Sequence, residues 1–141
     1  MFISLLDATQ QLLLVKSAVA IAATDGSFDG REDALINHLL AQTGMTVDPD
    51  EARALVIPET LPGAAAEAFA TSPPGSPERR AFVAEIAQMI TADGEAGEEE
   101  VELLTSFITA LGLPISATDD FLTAGNGIRE AERAIRVLVK Q

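Results

Sequence analysis

Two stretches of the chain hold carboxylates in a pattern suited to a hard cation: Asp25-Gly26-Ser27-Phe28-Asp29-Gly30-Arg31-Glu32 and Asp93-Gly94-Glu95-Ala96-Gly97-Glu98-Glu99-Glu100. In each, an Asp-Gly pair is followed by a Glu seven residues after the Asp. If the Asp ends one helix and the Glu enters the first turn of the next, a tight antiparallel connection brings the two carboxylates toward each other. Such an all-oxygen set suits Ca²⁺ or another hard divalent cation. The candidate metal ligands are therefore Asp25, Asp29 and Glu32 in the first loop, and Asp93, Glu95 and Glu100 in the second. Asp25, Ser27, Asp29 and Gly30 occupy the first, third, fifth and sixth places of an EF-hand loop. Its twelfth place, however, is Ile36 where a bidentate Glu is required, and the second loop has Glu95, Gly97 and Glu98 at its third, fifth and sixth places. A true EF-hand is not expected, and the site would be a weaker, incomplete one.

A purely structural account competes with metal binding. A Glu at the third helical position completes a capping box and complements the helix dipole, which accounts for Glu32 and Glu100. Asp25 and Asp93, at helix C-termini, meet the wrong end of the dipole, unless their side chains accept backbone N–H groups of the loops that follow. The stretch from Asp93 to Glu102 carries six carboxylates and no base, so it forms an intensely negative edge or a solvated face.

These loops need helices to position them. Apolar residues recur at helical spacing in Leu35, Ile36, Leu39 and Leu40 and in Phe82, Val83, Ile86, Met89 and Ile90, with no alternation long enough for a sheet. The expected class is all-α. Gly44 and Gly112 sit where left-handed helix caps belong, and Pro49 and Pro77 where first turns accept proline. Asp48 and Ser76 then serve as N-caps. Asp48 with Glu51 and Ser116 with Asp119 have capping-box spacing.

Displacing the sequence against itself by 68 residues carries Asp25-Gly26 onto Asp93-Gly94, Glu32 onto Glu100, Leu35 onto Leu103, Gly44 onto Gly112 and Asp48 onto Ser116 without a gap. An internal repeat is the reading, with repeat 1 over about 5–71 and repeat 2 over about 77–140 of a single domain, 1–141. Each repeat contributes four helical segments: 5–24, 30–43, 48–56 and 63–71, then 77–92, 98–111, 116–124 and 127–140. Seven to eight helices in one bundle are expected. The proline-rich stretch Ser72–Pro77 joins the halves.

Composition bounds the function. With 141 residues, 48% apolar, one hydrophobic core is attainable, and a net charge of −13 disfavours nucleic acid and anionic membrane surfaces as partners. A protein with a basic surface fits better. There is no Cys, so disulfides, thiolate nucleophiles and zinc–thiolate sites are excluded. The N-terminus lacks a basic signal-peptide region, and the apolar run from Leu12 to Thr24 is interrupted by Lys16 and too short for a membrane span. A cytoplasmic location is expected. With one His, no Tyr or Trp, and neither a phosphate-binding loop nor a nucleophile elbow, the chain is not expected to be an enzyme. His38 reads as a partly buried helix residue, and Phe28 as a contact anchor or a plug beneath its loop. The C-terminal helix carries Arg129, Arg133 and Arg136 opposite Ile128, Ala131, Ile135 and Leu138, and is read as closing its own bundle, with another copy's acidic loops as a second destination.

The segments AIAATDGSFDGREDALINHLLAQTGM and IAQMITADGEAGEEEVELLTSFITALGLP resemble the two characteristic stretches of the TerB-like, tellurite-resistance-associated family, the second more closely. The resemblance spans about Leu12 to Leu113. It implies a helical bundle with an internal repeat, a link to tellurite resistance and other stress responses, and an acidic metal-binding or interaction surface carried here by Asp25, Glu32, Asp93 and Glu100. A related domain occurs in a DnaJ-type co-chaperone, but no His-Pro-Asp motif is present here, so chaperone stimulation is not expected. The chain departs from the family at Ala96 and Gly97, where a β-branched residue and a capping Ser or Thr are usual. The expected function is a non-enzymatic, stress-associated interaction module whose acidic loops hold a divalent cation or a basic partner protein. The alternatives are a carboxylate-based metal-dependent enzyme, marked by a pocket gathering Asp25 and Asp93, and a plain dimerisation domain, marked by a large apolar patch.

Overall fold

The structure, a computed structural model, describes residues 3–24, 58–92, 94 and 96–140. Among these residues it is all-helical. The described residues form five α-helices: α1, Ala8–Thr24; α2, Leu61–Ala68; α3, Pro77–Thr91; α4, Glu98–Ala110; and α5, Ala117–Lys140, with 3₁₀ turns at Ile3–Leu5 and Pro58–Thr60. The helices expected over 30–43 and 48–56, with Gly44, the Asp48 cap, His38 and Phe28, lie outside the described residues. No helix among the described residues is long and apolar enough to cross a membrane.

Local chemistry sets most of the boundaries. Helix α1 opens with a reciprocal capping box that was not anticipated: Gln10 N–H donates to Asp7 Oδ1 at 2.8 Å, and Asp7 N–H donates to Gln10 Oε1 at 3.0 Å. The helix therefore starts three residues later than the apolar pattern suggested. At α3, Ser76 Oγ accepts from Arg79 N–H and Pro77 occupies the first turn, as expected. Helix α4 ends in a Schellman motif, with Gly112 at φ +73°, Gly112 N–H on Thr109 O and Leu113 N–H on Ile108 O.

The central helix is α3, which packs against α1, α4 and α5. Its Phe82, Val83 and Ile86 are fully buried, meeting Leu14, Val15 and Val19 of α1 and Leu104, Phe107 and Ile108 of α4 in a single core cluster. The ring of Phe82 stands edge-to-face against both Phe69 and Phe107, at centroid separations of 5.4 Å, so a row of three phenyl rings joins the end of α2 to α3 and α4. Arg79, at the start of α3, reaches three carbonyls: Nη1 donates to Leu111 O, and Nη2 to Phe69 O and Ser72 O, each at 2.8 Å. One guanidinium thus closes the ends of α2 and α4 and the turn between α2 and α3.

The pair of segments expected at 116–124 and 127–140 is one continuous helix. Gly125 and Gly127 do not break it, and at Gly125 it touches α3. A Cβ at Gly125 would lie 2.5 Å from Thr91 Oγ1 and 3.1 Å from Ala87 O, so the absent side chain lets the two backbones approach. Under the displacement of 68, α1 and α3 coincide to within one residue at each end. The last segments do not correspond, because α2 is a separate eight-residue helix whereas positions 129–136 lie inside α5.

Candidate functional site

The second acidic loop connects α3 to α4. Thr91, in the last turn of α3, donates through Oγ1 to Ala87 O at 2.9 Å, and Ala92 N–H closes the helix on Met89 O. Gly94 follows at φ +153°, a backbone conformation that L side chains rarely adopt. Across from this helix end lies Arg129 of α5. Its Nη1 donates to Thr91 O at 3.3 Å and would stand 3.9 Å from a Cβ placed on Gly94. A fixed cation therefore faces the negative end of the α3 dipole.

On the α4 side, Gly97 takes the N-cap position in an extended conformation, and the chain turns into the helix with Val101 N–H on Gly97 O. Glu100, at the third helical position, is 6% exposed, and its Oε1 accepts the Gly97 N–H at 3.2 Å. That is the back-bonding half of a capping box, formed although glycine supplies no side-chain oxygen for the other half. A Cβ on Gly97 would lie 3.3 Å from the same oxygen, so the carboxylate fills the space that the missing side chain leaves. Glu100 is thus committed to its own helix start, whereas Glu98, Glu99 and Glu102 are exposed and form the negative edge. The other candidate ligands, Asp25, Asp29, Glu32, Asp93 and Glu95, lie outside the described residues. Among the described residues no three acidic or His side chains gather as a metal site would require.

An open groove of about 280 Å³ runs between α1 and α2, lined by Thr9, Leu12, Leu13, Lys16, Ala64, Glu67 and Ala68. It holds one acid and one base rather than a carboxylate pair.

The clearest surface feature belongs to α5. Its first half docks on the bundle through Thr118, Leu122, Gly125 and Arg129, which repeat at spacings of four, three and four and so share one face. A second stripe, Phe121, Ala124, Ile128, Ala131, Ile135 and Leu138, follows heptad spacing roughly 120° around the helix. Phe121 is half-buried, packed beside Leu122 against the bundle's own core; from Ala124 onward the stripe is exposed, with Ile135 at 60% and Leu138 at 69%. Val137 and Val139 are also exposed. The expectation that this helix closes its own bundle is met only by its first half. The second half continues beyond the docked face, and none of the described residues covers its apolar side. Periodicity reveals the part from Ile128 to Leu138, but neither its continuation through Ala124 and Phe121 nor whether anything covers it.

Comparison of the chain with protein-family models, with curated proteins and with solved structures finds no match.

Proposed function

We propose that this chain is a non-catalytic protein-interaction module in which the second half of α5 is the docking element. The observation that carries the reading is the exposed run of Ile128, Ile135, Leu138 and Val139 on a helix whose first half is firmly held by the bundle. A contiguous apolar surface offered to water is unfavourable unless something covers it, and its presence on a folded domain marks an interaction site. Rigid presentation by the docked half reduces the ordering cost of association. The TerB-like resemblance and the link to stress responses fit such a module.

The acidic loops form a second proposed face. Glu98, Glu99 and Glu102 stand exposed at the start of α4, where a basic protein surface would meet them. Divalent-cation binding would fall on Asp25, Asp29, Glu32, Asp93 and Glu95, with Glu100 able to join only by giving up its cap.

Two measurements on the intact chain test the reading: mass in solution by sedimentation, and binding of a hydrophobic fluorescent dye. An interaction module shows either a mass above the monomer, with the stripe covered by another chain, or a monomer that binds dye and loses that binding on Ile135→Glu with Leu138→Glu. A monomer that leaves the dye unbound refutes it, because the stripe is then covered within the chain.

A further inference from the structure

Resting on that reading, we infer that the partner of the α5 stripe is a second copy of this chain, paired with it through antiparallel α5 helices. Three observations lead there.

The first is the spacing of the stripe. Phe121, Ala124, Ile128, Ala131, Ile135 and Leu138 occupy successive a and d positions across the helix, the pattern that two helices use to interlock side chains. A lone helix lying on a flat surface has no need of strict heptad spacing.

The second is that the stripe is complementary to its own reverse. When two α5 helices run antiparallel and cross between residues 129 and 130, Ala124 lies opposite Ile135 of the second copy and Ile128 opposite Ala131, and Leu138 reaches the exposed side of Phe121, which otherwise packs against its own core. Two of these layers place alanine against isoleucine, so large side chains meet small ones and the helices can approach closely. The pairing is isologous, which closes the assembly at two chains.

The third is charge. The first turn of α5 carries Asp119 and Asp120, and its last turn carries Lys140. Antiparallel pairing sets the acidic start of each helix beside the basic end of the other, whereas parallel pairing would set like charges together. Residues 128–140 hold four of the nine basic residues of the chain and two of its 22 acids, so the remainder is left at −15. That remainder would be repelled by an anionic lipid surface, which separates this helix from amphipathic helices that lie in membranes. It would attract the basic segment of another copy.

The chain has no Cys, so introduced thiols report geometry without interference. Sedimentation of the wild type over a wide concentration range should give a species of twice 14.8 kDa that dissociates on dilution. Ile135→Glu with Leu138→Glu should reduce the mass to 14.8 kDa with the helical signal retained, since both side chains are exposed. Val137→Glu, also exposed but on the opposite side of α5 from Ile135, should leave the dimer intact. Under oxidation, a mixture of Ala124→Cys and Ile135→Cys chains should form a mixed disulfide that neither forms alone. A monomer at every concentration overturns self-pairing; if that monomer binds hydrophobic dye through the stripe, the interaction reading stands with a different partner, and if it does not, both fall. A dimer unaffected by the double Glu variant, or ready self-linking of Ile135→Cys, overturns the antiparallel arrangement.

Discussion

Replacing Gly125 and Gly127 by alanine, one at a time, puts the α3–α5 crossing to a quantitative test. Both glycines lie inside α5, and by helix propensity alone each substitution should stabilise the protein by about 0.8–1 kcal/mol. At Gly127 nothing lies within 4 Å of the added Cβ, so that gain should be realised nearly in full. At Gly125 the Cβ would meet Thr91 Oγ1 at 2.5 Å, Ala87 O at 3.1 Å and Thr91 Cγ2 at 3.3 Å. The threonine can rotate only by losing its hydrogen bond to Ala87 O, a loss of about 1 kcal/mol. The carbonyl belongs to the backbone of α3 and cannot rotate away, so α5 itself must shift, at an overpacking cost of about 1–3 kcal/mol. Gly125→Ala should therefore be a net loss of about 1–3 kcal/mol. Urea denaturation followed by circular dichroism reads both variants, and the melting temperatures should separate by about 3 °C for each kcal/mol between them. Thr91→Ala combined with Gly125→Ala should cost less than the sum of the two single changes, since the threonine is one of the two obstacles. If Gly125→Ala stabilises as much as Gly127→Ala, the helices do not approach at that point and the account of α5 as a docked, unbroken helix is wrong.

Other expectations follow from the helix ends and the acidic loops. Arg79→Met removes three charged donors from carbonyls at the ends of α2, α4 and the intervening turn, and should cost about 2–4 kcal/mol by denaturant titration, water recovering part of the loss; a change below half a kcal/mol would mean that the clamp contributes nothing. Glu100→Ala should lower stability by about 1 kcal/mol and Glu100→Gln by much less, because the amide oxygen can still accept from Gly97 N–H; equal losses would show that charge rather than capping matters there. Calorimetric titration of Ca²⁺, then Mg²⁺ and Zn²⁺, into metal-free protein should give heat and a rise in melting temperature that Asp25→Asn with Asp93→Asn abolishes; silence from the wild type would leave the acidic loops as a protein-docking edge.

What the sequence made legible is what depends on near neighbours. Ser76 followed by Pro77, and Gly112 after an apolar run, specify helix ends because their effects reach only three to five residues along the chain. The Asp7–Gln10 box was equally local and was overlooked because Leu5 and Leu6 continue the apolar pattern past the true start. The break expected between 124 and 127 is absent for a different reason. Glycine inside a helical pattern signals either a break or a close approach, and the choice rests with Ala87 and Thr91, more than thirty residues away in the chain. The same limit hid the Arg79 clamp, whose acceptors lie 7, 10 and 32 residues away. In the acidic loop, the capping role of Glu100 was readable from its helical position, whereas the Arg129 cation came from a distant helix. The apolar face from Ile128 to Leu138 was visible as an amphipathic pattern, but such a pattern carries no information about what packs against it.

The meeting of three chain segments at Arg79 also bears on how this protein breathes. Amide exchange in native proteins proceeds through partial openings that release groups of residues together. Detaching the end of α2, the turn after it or the end of α4 disturbs the same guanidinium, so the carbonyls of Phe69, Ser72 and Leu111 should be freed in one event rather than three. Amides around these turns should accordingly exchange with a shared opening free energy despite their separation in the chain, and Arg79→Met should divide that common value into separate, lower ones.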